Sequence, residues 1–169
     1  MQRRRPLEVV LGPGAMAGPK SMARHVRGLR RRGIEARAIT LPRGRAERAA
    51  ETFRSLASPS IVAGGHSFGG RAASLAAVEA PFAGLVLFGF PLAGRGEERT
   101  RHLPLIPCPV LMLQGETDEL SPIDELRRLV ARAPRIRLVT FPGAPHNLGA
   151  SLPAALDEAA AFIRALEAS

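Results

Sequence analysis

The sequence predicts an α/β protein, a three-layer αβα sandwich around a six-stranded, mainly parallel sheet. Short runs that are apolar along their whole length alternate with longer segments of helical periodicity. Unbroken apolarity marks strands covered on both faces, and the intervening helices supply the crossovers that parallel strands require.

Leu7–Leu11 is the first strand, closed by Gly12-Pro13-Gly14. Ser21–Arg32 is an amphipathic helix with Met22, Val26 and Leu29 on one face, stopped by Gly33. Ile34–Leu41 is a second strand, halted by Pro42, and Arg45–Ala57 a second helix with Ala49, Phe53 and Leu56 inward. Ser60–Gly64 is the third strand, followed by an alanine-rich helix over Gly69–Ala80. Leu85–Phe90 and Pro109–Gln114 are the fourth and fifth strands. Ser121 then reads as an N-cap with Pro122 opening a helix that runs to about Ala133. Ile136–Phe141 is the sixth strand, and Pro153–Glu167 closes the chain as a helix. No repeat or linker interrupts the pattern, so residues 1–169 read as a single domain.

Composition narrows the function classes. With 169 residues, 46% of them hydrophobic, the chain can bury a proper core. No stretch approaches the ~20 apolar residues of a membrane span. Arg3, Arg4 and Arg5 before an apolar patch mimic a secretory leader, but Glu8, Gly12, Pro13 and Gly14 break that patch. A cytoplasmic protein is expected. The net charge of +9 is almost all arginine, with Lys20 the only lysine. Its densest cluster, Arg24, Arg27, Arg30, Arg31 and Arg32, collects towards the end of one helix, where the dipole favours cations. Without Trp or Tyr there is no base-stacking platform, so this reads as a solvated surface and not a nucleic-acid site. The single cysteine, Cys108, excludes an internal disulfide and reads as structural. No His or Cys pair has metal-ligand spacing, and neither metal nor cofactor is expected.

In open parallel sheets, function gathers at the carboxyl ends of the strands. The third strand ends in Gly65-His66-Ser67-Phe68-Gly69, a G-x-S-x-G pattern directly before a helix. A serine on so sharp a turn has a strained backbone, and side chains two residues to either side would collide. Ser67 is therefore the candidate nucleophile, with the Phe68 amide as an oxyanion donor at the helix N-terminus.

A serine hydroxyl needs a base. Of four histidines, His66 adjoins the serine and should point away from it, His25 is mid-helix, and His102 precedes the fifth strand. His146 follows the sixth strand and reaches the right edge. The imidazole in turn needs a carboxylate. Asp118 follows the fifth strand, with Glu116 as its rival, whereas Asp124 and Asp157 read as cap or surface charges. The second oxyanion donor should come from Gly12-Pro13-Gly14-Ala15-Met16-Ala17-Gly18, through the Ala15 or Met16 amide.

Gly64–Gly70, Gly115-Glu116-Thr117-Asp118 and His146 together resemble a minimal, lidless α/β-hydrolase. The chain is similar to dienelactone-hydrolase-like proteins and to short domains of the KANL/Tex type, the latter through Gly84–Leu92. The resemblance implies a nucleophile–acid–histidine order of Ser67, Asp118 and His146, and an acyl-enzyme route for a small-molecule ester or thioester. It departs in two ways. The chain starts at what would be the family's third strand, and Pro13-Gly14 stands where many relatives carry His-Gly. Pro91–Pro107 is too short for a helical lid, leaving a shallow site with Phe68, Phe90 and Leu92 as the candidate acyl surface for short chains.

Three other readings compete. Some relatives serve as interaction domains, so a catalytically silent binding module is one. Gly12, Gly14 and Ala17 also fit G-x-G-x-x-A, a dinucleotide loop, but Glu35 opens the next strand where a ribose-binding acid should end it. Gly14–Ser21 nearly spells a phosphate-binding loop, but Pro19 removes an amide from the cradle.

Overall fold

The computed structural model describes residues 6–169, so the Arg3–Arg5 cluster lies outside it. The elements are β1 (Glu8–Gly12), α1 (Ala23–Arg31), β2 (Glu35–Ala38), α2 (Ala46–Ser55), β3 (Ser58–His66) and α3 (Phe68–Ala76). They continue with β4 (Phe82–Phe88), α4 (Gly96–Thr100), β5 (Val110–Gly115), α5 (Ile123–Val130), β6 (Ile136–Phe141) and α6 (Leu152–Glu167). The strands form one sheet in the order β2-β1-β3-β4-β5-β6, and every neighbouring pair is parallel.

Successive residues of a strand point to opposite faces, and the core divides accordingly. Val9, Leu11, Val62, Val86, Leu111 and Leu113 face α1 and α6. Val10, Ala63, Leu85, Leu87, Val110 and Met112 face α2, α3 and α5. Covered on both sides, the sheet is the middle layer of an αβα sandwich. The chain leaves β1 towards β2 and leaves β3 the opposite way towards β4. The carboxyl ends of β1 and β3 therefore flank the crevice where such sheets bind ligands.

Several boundaries differ from the sequence reading. β3 runs on through Gly64, Gly65 and His66, which pair with Val86, Leu87 and Phe88 of β4. Side-chain-free residues let the neighbouring backbones approach there: a Cβ on Gly64 would run into the Val86 carbonyl oxygen. β4 stops at Phe88 because Gly89 turns the chain with a positive φ of 64°. The segment after it is not a bare loop, for it holds the five-residue α4, which packs on α5 and is tied by Glu97 to Arg128 of that helix and to Arg132 just past its end. Ser121 does not cap α5. Pro122 occupies that position, and the Ser121 hydroxyl donates to the Phe90 carbonyl while accepting the Leu92 amide at 2.9 Å. Cys108 is buried at the entrance to β5, and that burial pushes its thiol pKa up.

Candidate active site

Ser67 sits between β3 and α3 with φ 51° and ψ −115°, a conformation L-residues adopt only under constraint. The constraint is visible on both sides. Its amide donates to the Phe88 carbonyl at 3.0 Å, and its own carbonyl accepts the Arg71 amide of α3 at 3.0 Å. A Cβ on Gly65 or on Gly69 would strike the Gly12 carbonyl oxygen, so the glycines of the pattern let β1 approach the turn. The first α3 amides, Phe68's among them, have no partner within the helix.

Asp118 follows β5 and its side chain is fully buried. Three donors satisfy it: the Leu120 amide at 2.8 Å on Oδ1, and Gln114 Nε2 at 2.7 Å and His146 Nδ1 at 2.6 Å on Oδ2. Gln114 is itself buried, and its Oε1 accepts the Phe90 amide at 2.9 Å, which locks the amide orientation. Glu116, the rival acid, faces elsewhere and accepts from Thr140 Oγ1 at 2.7 Å and Arg127 at 3.1 Å.

His146 arrives on the loop after β6. Thr117 ties that loop to the acid's loop by donating to the Ala144 carbonyl through both its amide and its hydroxyl, at 3.0 and 2.8 Å. Buried Ala144 and Leu148 anchor the loop on either side of the histidine. A carboxylate only accepts, so the proton of His146 sits on Nδ1 and Nε2 keeps a lone pair. That atom lies 2.9 Å from Ser67 Oγ. The structure thus brings the hydroxyl, imidazole and carboxylate into one hydrogen-bonded chain, a geometry in which the hydroxyl can lose its proton as it attacks a carbonyl.

The chain opens into a cleft of about 450 Å³ whose walls include Gly14, Ala15, His25, His66, Ser67 and His146. Of the two proposed loop donors, Ala15 lines the cleft, whereas Met16 projects into solvent, 70% exposed at a turn of positive φ. Phe90 and Leu92 correct the expected acyl surface. They are 1% and 0% exposed in the core, because Gln114 and Ser121 fasten the post-β4 segment inward through its backbone. Phe68 is half-buried against that same core, and neither it nor α4 lines the cleft.

Two histidines missed at the sequence level shape the site. His66 packs at a tilt against His146, with ring centroids 4.8 Å apart, and its Nε2 lies 3.2 Å from the His146 carbonyl oxygen. Burial, and then the neighbouring His146, lower its pKa. His25 is 8% exposed, edge-on to Phe88, and burial lowers its pKa to about 4. The signal for His25 was its spacing: it falls three residues after Met22 and four before Leu29, on the buried stripe of α1.

The first loop does not behave as a nucleotide cradle. After Gly14 it runs through a turn and a 3₁₀ segment at Pro19–Met22 before α1 begins at Ala23, so no helix N-terminus opens on the glycines. Among the described residues, no three His, Cys, Asp or Glu side chains come together as a metal site.

A family model described as an alpha/beta hydrolase domain matches residues 14–168, nearly the whole chain. The chain belongs to the alpha/beta hydrolase domain family. Solved structures of similar fold are esterases by description. Esterase 2 from Thermogutta terrifontis with bound propionate is 19% identical, covering 97% of this chain and 85% of its own, with a TM-score of 0.76. The esterase domain of a Rhodothermus marinus protein is 19% identical over 95% of this chain and 88% of its own, TM-score 0.72. Est1E from Butyrivibrio proteoclasticus with ferulic acid is 14% identical over 99% and 92%, TM-score 0.74. No curated protein matches the sequence. Among the described residues of this alpha/beta hydrolase, no helix is long and apolar enough to cross a membrane.

Proposed function

We propose that the protein is a serine hydrolase that cleaves small carboxylic esters or thioesters through an acyl-enzyme. One observation carries the reading: Asp118, His146 and Ser67 are joined by hydrogen bonds of 2.6 and 2.9 Å, with the unprotonated imidazole nitrogen facing the hydroxyl. Ser67 Oγ attacks the substrate carbonyl carbon and its proton passes to His146 Nε2. Asp118, still ionised, stabilises the imidazolium. The tetrahedral oxyanion is held by the amides of Phe68 and Ala15, and collapse expels the alcohol or thiol with the proton from His146. Water, deprotonated by His146, then attacks the acyl-serine, and the acid leaves with Ser67 restored.

Short acyl groups fit the cleft and agree with the propionate and butyrate bound by the Thermogutta esterase. That enzyme is also described phosphorylated by paraoxon, which guides the test. A fluorophosphonate probe should label the folded wild type and not Ser67→Ala. Absence of labelling in folded wild type would reject the hydrolase and favour a silent binding module.

A further inference from the structure

We propose that the substrate of this site carries an oxyanion group, a phosphate or a carboxylate, that lies along an arginine row on α1. This rests on the hydrolase reading and adds the substrate class. Arg24, Arg27 and Arg31 are three and four residues apart, so their guanidinium groups share one side of the helix. All three are exposed, and among the described residues none makes an ion pair or a side-chain hydrogen bond. Their helix neighbours are occupied. Arg30 donates to the Ala36 carbonyl at 2.9 Å, and Arg32 binds Asp157 at 2.7 Å and the carbonyls of Gly28 and Pro153.

The helix dipole does not explain the row. It favours Arg31 in the last turn but opposes Arg24 in the first. Cations one turn apart also repel one another, so the row is a standing electrostatic cost that a bound anion would relieve.

Its position gives the cost a use. Arg24, Arg27, Arg31 and Arg32 wall a groove of about 270 Å³ between α1 and α6, floored by Leu152 and Leu156. The groove shares Arg24 and Leu152 with the cleft that holds Ser67. At 1.5 Å per residue, the row from Arg24 to Arg31 runs for about 10 Å away from the nucleophile. Next to Arg24 in the chain, His25 lines the cleft; it is nine-tenths buried, and neither ring nitrogen has a partner among the described residues. A buried imidazole left bare costs stability, so a polar substrate group that reached it from the cleft would be favoured.

The test compares matched neutral and anionic substrates at low and high salt. On the acyl side these are 4-nitrophenyl pentanoate and mono-4-nitrophenyl glutarate; on the thiol side, butyryl-pantetheine and butyryl-4′-phosphopantetheine. In at least one pair the anionic member should have a kcat/KM about tenfold higher or more, carried mainly by KM and eroded by salt. Preference in the glutarate pair marks a carboxylate on the acyl side, and preference in the other pair marks a phosphate on the leaving group. Arg27→Gln/Arg31→Gln keeps good helix formers and should abolish the preference, whereas Arg48→Gln on α2, across the sheet, should retain it. If the fluorophosphonate probe labels one sample of the enzyme while an untreated sample cleaves both members of each pair alike, or if a preference survives the double substitution, the proposal alone is overturned. No turnover of any substrate together with no labelling overturns the hydrolase reading and this inference with it.

Discussion

Helix α3 bears two serine–histidine hydrogen bonds, Ser67 with His146 at its start and Ser74 with His102 within it, at 2.9 and 2.8 Å. In the second pair the Ser74 hydroxyl gives its one proton to the Arg71 carbonyl at 2.7 Å. His102 Nε2 must therefore donate to that oxygen. At the first pair Asp118 accepts the hydrogen bond of Nδ1–H, so His146 Nε2 accepts from the serine. The same two atoms, at nearly the same separation, run their proton in opposite directions. What differs is the third partner and the backbone: a buried carboxylate and a left-handed turn at Ser67, a helical carbonyl and no carboxylate at Ser74. Proximity of serine to histidine says little, and the direction of the hydrogen bond says most of what matters.

That contrast can be broken by mutation. Ser67→Ala and His146→Ala should each lower kcat by about 10⁴-fold or more without unfolding the protein. Ser74→Ala should leave ester turnover intact and instead cost about 1 kcal/mol in urea titrations, because a half-buried imidazole N–H loses its acceptor. Asp118→Asn should reduce kcat by about 10⁴-fold, since the amide can donate to Nδ1 and turn His146 into the wrong tautomer. Gln114→Leu removes both the donor to Asp118 and the acceptor of the Phe90 amide. A loss of about 1–3 kcal/mol in stability is expected, with a smaller fall in kcat.

The mildest effect is on pH dependence. His25 and His102 are each held down to about 4 in the folded protein against an ordinary 6.5, burial being the first cause in both. Between those values the unfolded chain binds more protons than the folded one, so stability is complete above 6.5 and declines as pH falls towards 4. His25→Phe keeps an edge contact with Phe88 and should flatten that decline in melts recorded across the range.

Much of this arrangement was legible beforehand. β6 spans Ile136–Phe141 in sequence and structure alike, because its apolar run is bounded by Pro134 and Pro142. The sharp turn at Ser67 was readable because Gly65 and Gly69 meet a backbone constraint that few other residues satisfy. α4 was not, since Gly96-Glu97-Glu98-Arg99-Thr100 is polar and shorter than two helical turns, too short for periodicity to register. Phe90 and Leu92 misled for a different reason. Their burial depends on Gln114 and Ser121, residues more than twenty positions away that grip the backbone and not the side chains.

Cys108 offers a way to watch this molecule without altering it. It is the chain's one thiol, shielded at the amino end of β5, the edge of the sheet opposite Ser67. A bulky alkylating reagent can reach it only when that edge opens, so the modification rate of the unmutated protein reads the local opening free energy. Following that rate before and after a phosphonate occupies the serine would measure how firmly one rim of the sheet is mechanically joined to the other.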